Sequence, residues 1–180
     1  GAGSPGLRST MDKVTYSTDT TEVVPGASLA GPARKSLAAT GSSTAGYFGG
    51  GSNPAASVIM DKVTYSTDTT AVVPGAALSA ARYLLAATGN STAGYFGGGG
   101  FPSSRSTMDK VTYASDTTAA VPGAALSAAR YGLAASSARA NALPVTEPPA
   151  ATPTPQTLPI PNTGYFGGGL PGPVAVATMD

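Results

Sequence analysis

The sequence predicts an all-β chain of four-stranded antiparallel blades, and three observations predict it. The first is repetition. Met-Asp-Lys-Val-Thr-Tyr stands at Met11 to Tyr16 and returns at Met60 to Tyr65 and Met108 to Tyr113, a period of 48–49 residues. Met179-Asp180 opens a fourth copy, which makes about three to four repeats. The second is alternation: Val63 and Tyr65 interleave with Lys62, Thr64 and Ser66, the period-2 pattern of a half-buried strand. The third is composition, because 24 glycines and 16 prolines in 180 residues disfavour long helices.

In chain order, residues 1–10 read as a linker and residues 11–136 as the repeats. In the second copy, Met60 to Tyr65 is the first strand met. Ser66-Thr67-Asp68 reads as a turn, and Thr69-Thr70-Ala71-Val72-Val73 as a β-branched strand stopped by Pro74-Gly75. The next segment, Ala76 to Leu85, has helical propensity. The first copy argues against a helix, since its equivalent carries Gly31-Pro32 and one extra residue before Arg34. Proline inside a helix costs about 3 kcal/mol, and one inserted residue turns everything after it by roughly 100°. A connector absorbs both changes. Leu84 to Thr88 then reads as a short buried strand, Gly89-Asn90 as a turn, and Thr92 to Gly97 as the returning strand. Each repeat so supplies four strands in meander order, the pattern of a propeller blade.

Gly46-Tyr47-Phe48-Gly49-Gly50-Gly51 recurs at 94–99 and 164–169. A phosphate-loop reading of these glycines fails, because no Lys-Ser/Thr and no helix follow. Glycine here lets neighbouring backbones approach, while Tyr and Phe point to opposite faces of a strand. An amyloid-like aromatic segment is the alternative.

The order of Gly-Tyr-Phe-Gly-Gly, a strand ending in Tyr, an Asp, a Pro-containing loop and an Arg resembles the kelch repeat of β-propellers. Tyr95, Phe96, Gly97, Gly98, Tyr65, Asp68 and Arg82 carry the resemblance, over residues 11–136 and 164–180. The resemblance implies kelch-like blades. The Trp that kelch repeats carry after the Tyr strand is replaced by Val or Ala, which implies a thinner blade core. An enzyme of the galactose-oxidase kind on this fold would need His and Cys as copper ligands, and the chain has neither. The near-identical, Ser/Thr/Ala/Gly-rich copies are also similar to repeats of phage-fibre and surface-adhesin chains.

The third copy breaks the period. Tyr47 and Tyr95 stand 48 apart, but Tyr165 comes about 22 residues late. The segment 137–163 carries Pro144, Pro148, Pro149, Pro153, Pro155, Pro159 and Pro161 and reads as an extended, polyproline-like inserted loop. Residues 164–180 form a partial repeat that completes a blade or joins a neighbouring chain.

Charge narrows the chemistry. Ten basic and nine acidic residues give a net charge of +1, too little to hold a phosphate backbone, so no nucleic-acid partner is expected. No apolar run approaches the ~20 residues of a membrane span. Without Cys or His there is no thiolate or imidazole metal site, no disulfide, and no visible base to activate the many Ser and Thr hydroxyls. No catalytic residue, metal or cofactor is therefore expected.

Asp12, Lys13, Asp19 and Arg34 recur as Asp61, Lys62, Asp68 and Arg82, then as Asp109, Lys110, Asp116 and Arg130. A group that comes once per blade reads as structural: Asp68 holding its turn, and Arg82 bonding carbonyls or a carboxylate across blades. A ring of Asp or Arg lining a central channel is the functional alternative. Asn90-Ser91-Thr92 is an N-glycosylation triplet, and Thr152, Thr154 and Thr157 lie among prolines as in O-glycosylated stalks. The expected function is a non-enzymatic structural or binding repeat module of an extracellular fibre, sheath or adhesin. The alternative is an intracellular β-propeller scaffold that binds a partner protein through its loops. Residues 11–25 and 130–169 read as complementary halves of a blade, so self-association into a ring or filament, or continuation into a longer chain, is expected.

Overall fold

The computed structural model describes residues 6–137 and 164–168, and these are all-β. Two four-stranded antiparallel blades stand between two two-stranded pairs. The leading hairpin is β1 (Asp12–Thr15) and β2 (Thr20–Val23). The first blade is β3 (Ala38–Gly41), β4 (Ala45–Gly49), β5 (Met60–Thr64) and β6 (Thr69–Val72), paired in that order. The second repeats it as β7 (Ala86–Gly89), β8 (Ala93–Gly97), β9 (Met108–Thr112) and β10 (Thr117–Ala120). The trailing pair is β11 (Ala134–Ser137) with β12 (Gly164–Gly167).

The meander read from the sequence is the one that forms. Its register is the same in both blades: Tyr47 faces Lys62 and Phe48 faces Asp61, as Tyr95 faces Lys110 and Phe96 faces Asp109. Residues 76–85 form a connector with no helix beyond a single 3-10 turn at Pro74–Ala76. The same turn closes β2 at Pro25–Ala27 and β10 at Pro122–Ala124. Proline suits its first position, where the fixed φ is pre-set and the missing N–H is not needed. Ser137, the first residue of the expected inserted loop 137–163, instead ends β11 by pairing with Gly164, and residues 138–163 and 169–180 lie outside the described residues.

The core lies between blades rather than inside them. Tyr47 and Met60 of the first blade pack with Leu85, Phe96 and Val111 of the second, and Leu78 of the connector joins them. Met108, Leu126 and Leu133 pack with Phe166 in the same way. A Cβ on Gly49 would lie 2.9 Å from a Phe96 ring carbon, so the missing side chain is what admits the next blade's phenyl ring. The inner strands β3, β7 and β11 lie side by side. Burial follows position in the array: Val111 is 0% exposed and Val63 6%, while Val14 of the leading hairpin is 49% exposed. Full burial of such a side chain is worth about 1.5–3 kcal/mol, roughly half of which the hairpin forgoes at Val14.

Candidate functional site

The repeated charged residues form two kinds of staple. The first lies within a blade and ties the connector down. Arg82 and Asp109 are both fully buried, with Arg82 Nη2 donating to Asp109 Oδ2 at 2.8 Å and to the Phe96 carbonyl at 3.2 Å. The Ser79 amide donates to the same carboxylate oxygen at 3.0 Å. One Asp on the third strand therefore holds two points of the connector, and the Arg reaches on to the second strand. Burial lowers the Arg82 pKa and Asp109 pulls against that, which leaves a charged pair in a low-dielectric site. Among the described residues, Arg82 Nε and Nη1 and Asp109 Oδ1 have no hydrogen-bond partner.

The first blade has the same staple with a better-satisfied Arg. Arg34 Nε donates to the Gly50 carbonyl at 2.7 Å, and its other nitrogens reach the Phe48 and Pro32 carbonyls at 3.2 and 3.4 Å. Asp61 accepts from the Gly31 amide at 3.1 Å. Arg34 Nη2 stands 2.6 Å from Asp61 Oδ2, yet that oxygen accepts no hydrogen bond among the described residues, so the contact is an ion pair out of line for one. The sequence predicts for Arg82 neighbouring carbonyls or a carboxylate across blades; it does bond the Phe96 carbonyl, but its carboxylate, Asp109, lies in the same blade, because the connector precedes the strands it is pinned to.

The second staple does cross blades. Lys62 Nζ donates to both oxygens of Asp116, at 3.0 and 2.7 Å. The Tyr47 hydroxyl also donates to Asp116, and the Tyr47 ring stacks on Tyr113 with centroids 4.9 Å apart and planes 19° off parallel. Lys62 Nζ stands 5.6 Å from the Tyr47 centroid, within cation-π reach. Beside them the Thr118 hydroxyl donates to the Ala76 carbonyl at 2.7 Å, fastening β10 to the 3-10 turn of the preceding blade. One blade earlier, Lys13 bonds Asp68 at 2.8 Å and the Thr70 hydroxyl bonds the Ala27 carbonyl at 2.8 Å.

The electrostatics of this cluster favour a staple over a reactive centre. Burial and then the Asp116 hydrogen bond push the Tyr47 phenol well above its ordinary range, so it stays a neutral donor. Burial pushes the Asp116 carboxyl up, but the Lys62 and Tyr47 hydrogen bonds outweigh it and hold the group below its usual value. Neither group is thereby poised near neutrality as a base or nucleophile. Among the described residues no three Asp, Glu, His or Cys side chains gather as a metal site.

The residues singled out in the sequence are found as follows. Asp68 takes a positive φ of 49° in its turn, and its carboxylate serves Lys13 of the leading hairpin. Tyr95 is half-buried under Lys110, whose Nζ is 6.0 Å from the ring centroid. Phe96 is fully buried, and Gly97 admits Met108 and Phe166, which a Cβ would meet at 2.8 and 3.1 Å. Gly98 has φ of 65° and its Cβ would sit 2.8 Å from the Arg130 carbonyl. Asn90 Oδ1 accepts from the Thr92 and Ala93 amides at 2.8 and 2.9 Å, an Asx turn, so its carboxamide oxygen closes the hairpin. Thr152, Thr154 and Thr157 lie outside the described residues. The channel ring of Asp or Arg does not form among the described residues. Asp61, Asp109, Arg34 and Arg82 are buried in their own blades, and the inner strands carry Ala, Thr, Gly and Ser. The cross-blade partners Lys62–Asp116 and Tyr47–Tyr113 are not marked by any local sequence pattern. The recurrence of Lys and Asp at one spacing was their only signal.

No helix among the described residues is long and apolar enough to cross a membrane. Compared with family models and with curated proteins, the chain matches none.

Proposed function

We propose that this chain is a non-enzymatic structural or binding module, an array of kelch-type blades in an extracellular fibre, sheath or adhesin. The observation that carries the reading is the recurrence of the same staples from one blade to the next, Lys13–Asp68 and Lys62–Asp116 across blades and Asp61 and Asp109 on their connectors. Catalysis needs one asymmetric constellation, whereas a lattice-like repeat of the same contacts builds length and stiffness. In this reading the array extends by self-association or by continuing into further repeats, and sugar on Asn90 or on Thr152, Thr154 and Thr157 decorates its surface. Immunogold labelling of the native source with an antibody to this chain tests it. Gold along the outer surface of intact cells or particles, with an intact mass above that of the unmodified chain, supports it. Gold confined to the interior refutes it.

A second reading, an intracellular propeller scaffold that binds a partner protein through its loops, draws on one observation. Phe101 is 44% exposed and Leu84 36%, and the Phe101 ring lies 6.5 Å from that of Tyr83, so apolar side chains meet at the loops between blades. Interior labelling, with crosslinking through Phe101 to one defined protein, would favour that reading.

A further inference from the structure

We propose that the face of the second blade carrying Tyr95, Lys110 and Gly123 is a docking site for the β1–β2 hairpin of a second copy of this chain, which enters with Tyr16, Asp19 and Thr21. This rests on the reading of the chain as an assembly module and names the surfaces by which it assembles.

The array presents three equivalent surfaces. Where the first blade meets the second, Lys62 and Tyr47 grip Asp116, Tyr113 stacks on Tyr47, and Thr118 bonds the Ala76 carbonyl. A Cβ on Gly75 would lie 2.9 Å from the Asp116 carbonyl, and Ala76 is 0% exposed. Where the hairpin meets the first blade, Lys13 grips Asp68 and Thr70 bonds the Ala27 carbonyl. A Cβ on Gly26 would lie 2.8 Å from the Asp68 carbonyl, and Ala27 is 5% exposed. The second blade offers the same surface again: Tyr95 beneath Lys110, and the turn Pro122–Ala124. Among the described residues, however, a Cβ on Gly123 would meet nothing within 4 Å and Lys110 meets no carboxylate, and Ala124 is exposed. The trailing pair packs against the second blade through β7 and Phe166, and Tyr95 borders that cluster half-buried.

The matching insert stands at the other end of the array. Tyr16 is equivalent to Tyr113, Asp19 to Asp116 and Thr21 to Thr118. Asp19 has φ of 51°, against 52° for Asp116 and 49° for Asp68, so its turn is already in the docked shape. Tyr16 is 86% exposed, and Asp19 and Thr21 are exposed too. The hairpin spends its other face, Lys13 and Ala27, on the first blade. Cation and ring on one surface meet carboxylate and ring on the other; the chain builds the cation–carboxylate and Thr–carbonyl contacts twice internally and the stacked rings once. The contact is heterologous, so it propagates head to tail.

Sedimentation of the 180-residue chain across a concentration series tests this, with circular dichroism confirming that each variant keeps its β signal. The wild-type chain is expected to associate, and Lys110→Glu or Asp19→Lys each to weaken association by about tenfold or more. An equimolar mixture of the two variants is expected to recover association. The carboxylate introduced at position 110 of one variant then meets the ammonium introduced at position 19 of the other, and at the next contact the native Lys110 meets the native Asp19. A wild-type chain that stays monomeric throughout, association indifferent to both substitutions, or a mixture that recovers nothing would overturn the proposal. None of these results moves the surface labelling that tests the broader reading.

Discussion

Removing the Asp109 carboxylate is the sharpest perturbation of the connector staple. In Asp109→Ala the fully buried Arg82 guanidinium keeps only the Phe96 carbonyl, and the Ser79 amide loses its acceptor. Breaking a buried pair from one side costs about 3–5 kcal/mol, because the remaining charge stays desolvated without compensation. For a chain of this length that is a fall in Tm of roughly 6–20 °C. Replacing both partners by apolar residues of similar size removes the charge as well as the attraction. Arg82→Met with Asp109→Leu is therefore expected to melt above either single variant, the more so because three polar atoms of the native pair already lack partners among the described residues. Thermal unfolding followed by far-ultraviolet circular dichroism reads both. An Asp109→Ala chain that melts within a degree of wild type, or a double variant less stable than the single, would refute the staple.

Other outcomes follow from the same contacts. The Asp116 carboxyl is held below its usual pKa, so its staple contributes fully above the unfolded carboxyl value of about 3.9 and is lost as pH falls through the folded value; the Tm gap between wild type and Lys62→Met should close in acid. Tyr47 is shifted upward, so its contribution is complete below the unfolded phenol value of about 10 and is lost as pH rises from there through the folded value, and Tyr47→Phe should remove that alkaline loss in a pH titration of Tm. Gly50→Ala combines φ of 71° with a Cβ 2.7 Å from the Arg82 carbonyl. It should cost about 1–3 kcal/mol in denaturant unfolding. Gly132→Ala, at φ of 66° with no atom of the described residues within 4 Å of the new Cβ, should cost only about 1 kcal/mol.

Strand order was legible because each cue is local. Val63 and Val111 alternate with Lys and Thr, Pro74 stops a strand, and Gly31-Pro32 forbids a helix where alanines invite one. The pinning of the connector was half legible: a charged Arg at a fixed place in every repeat implies a buried partner, but not which strand supplies it. The inter-blade pairs were not legible, because Lys62 to Asp116 and Tyr47 to Tyr113 depend on the offset between blades. That offset is set by Phe96 entering the space at Gly49 and by Thr118 on the Ala76 carbonyl, which no local pattern encodes. The thin core expected from so few aromatics is real within a blade; between blades Tyr47, Met60, Phe96 and Val111 make up for it.

Equivalent blades are joined by irregular connectors, and residue-resolved hydrogen exchange on the dilute chain reads this amide by amide. Matched, strong protection of β4–β5 and β8–β9 is expected, with weaker protection of β1–β2. Within the connector the Leu78, Arg82 and Leu84 amides, bonded to the Val58, Ser57 and Ser36 carbonyls, should be protected. Ala80 and Ala81, which donate no hydrogen bond among the described residues, should exchange fast. Continuous protection through Ala80 and Ala81, or two blades of unlike protection, would contradict this arrangement.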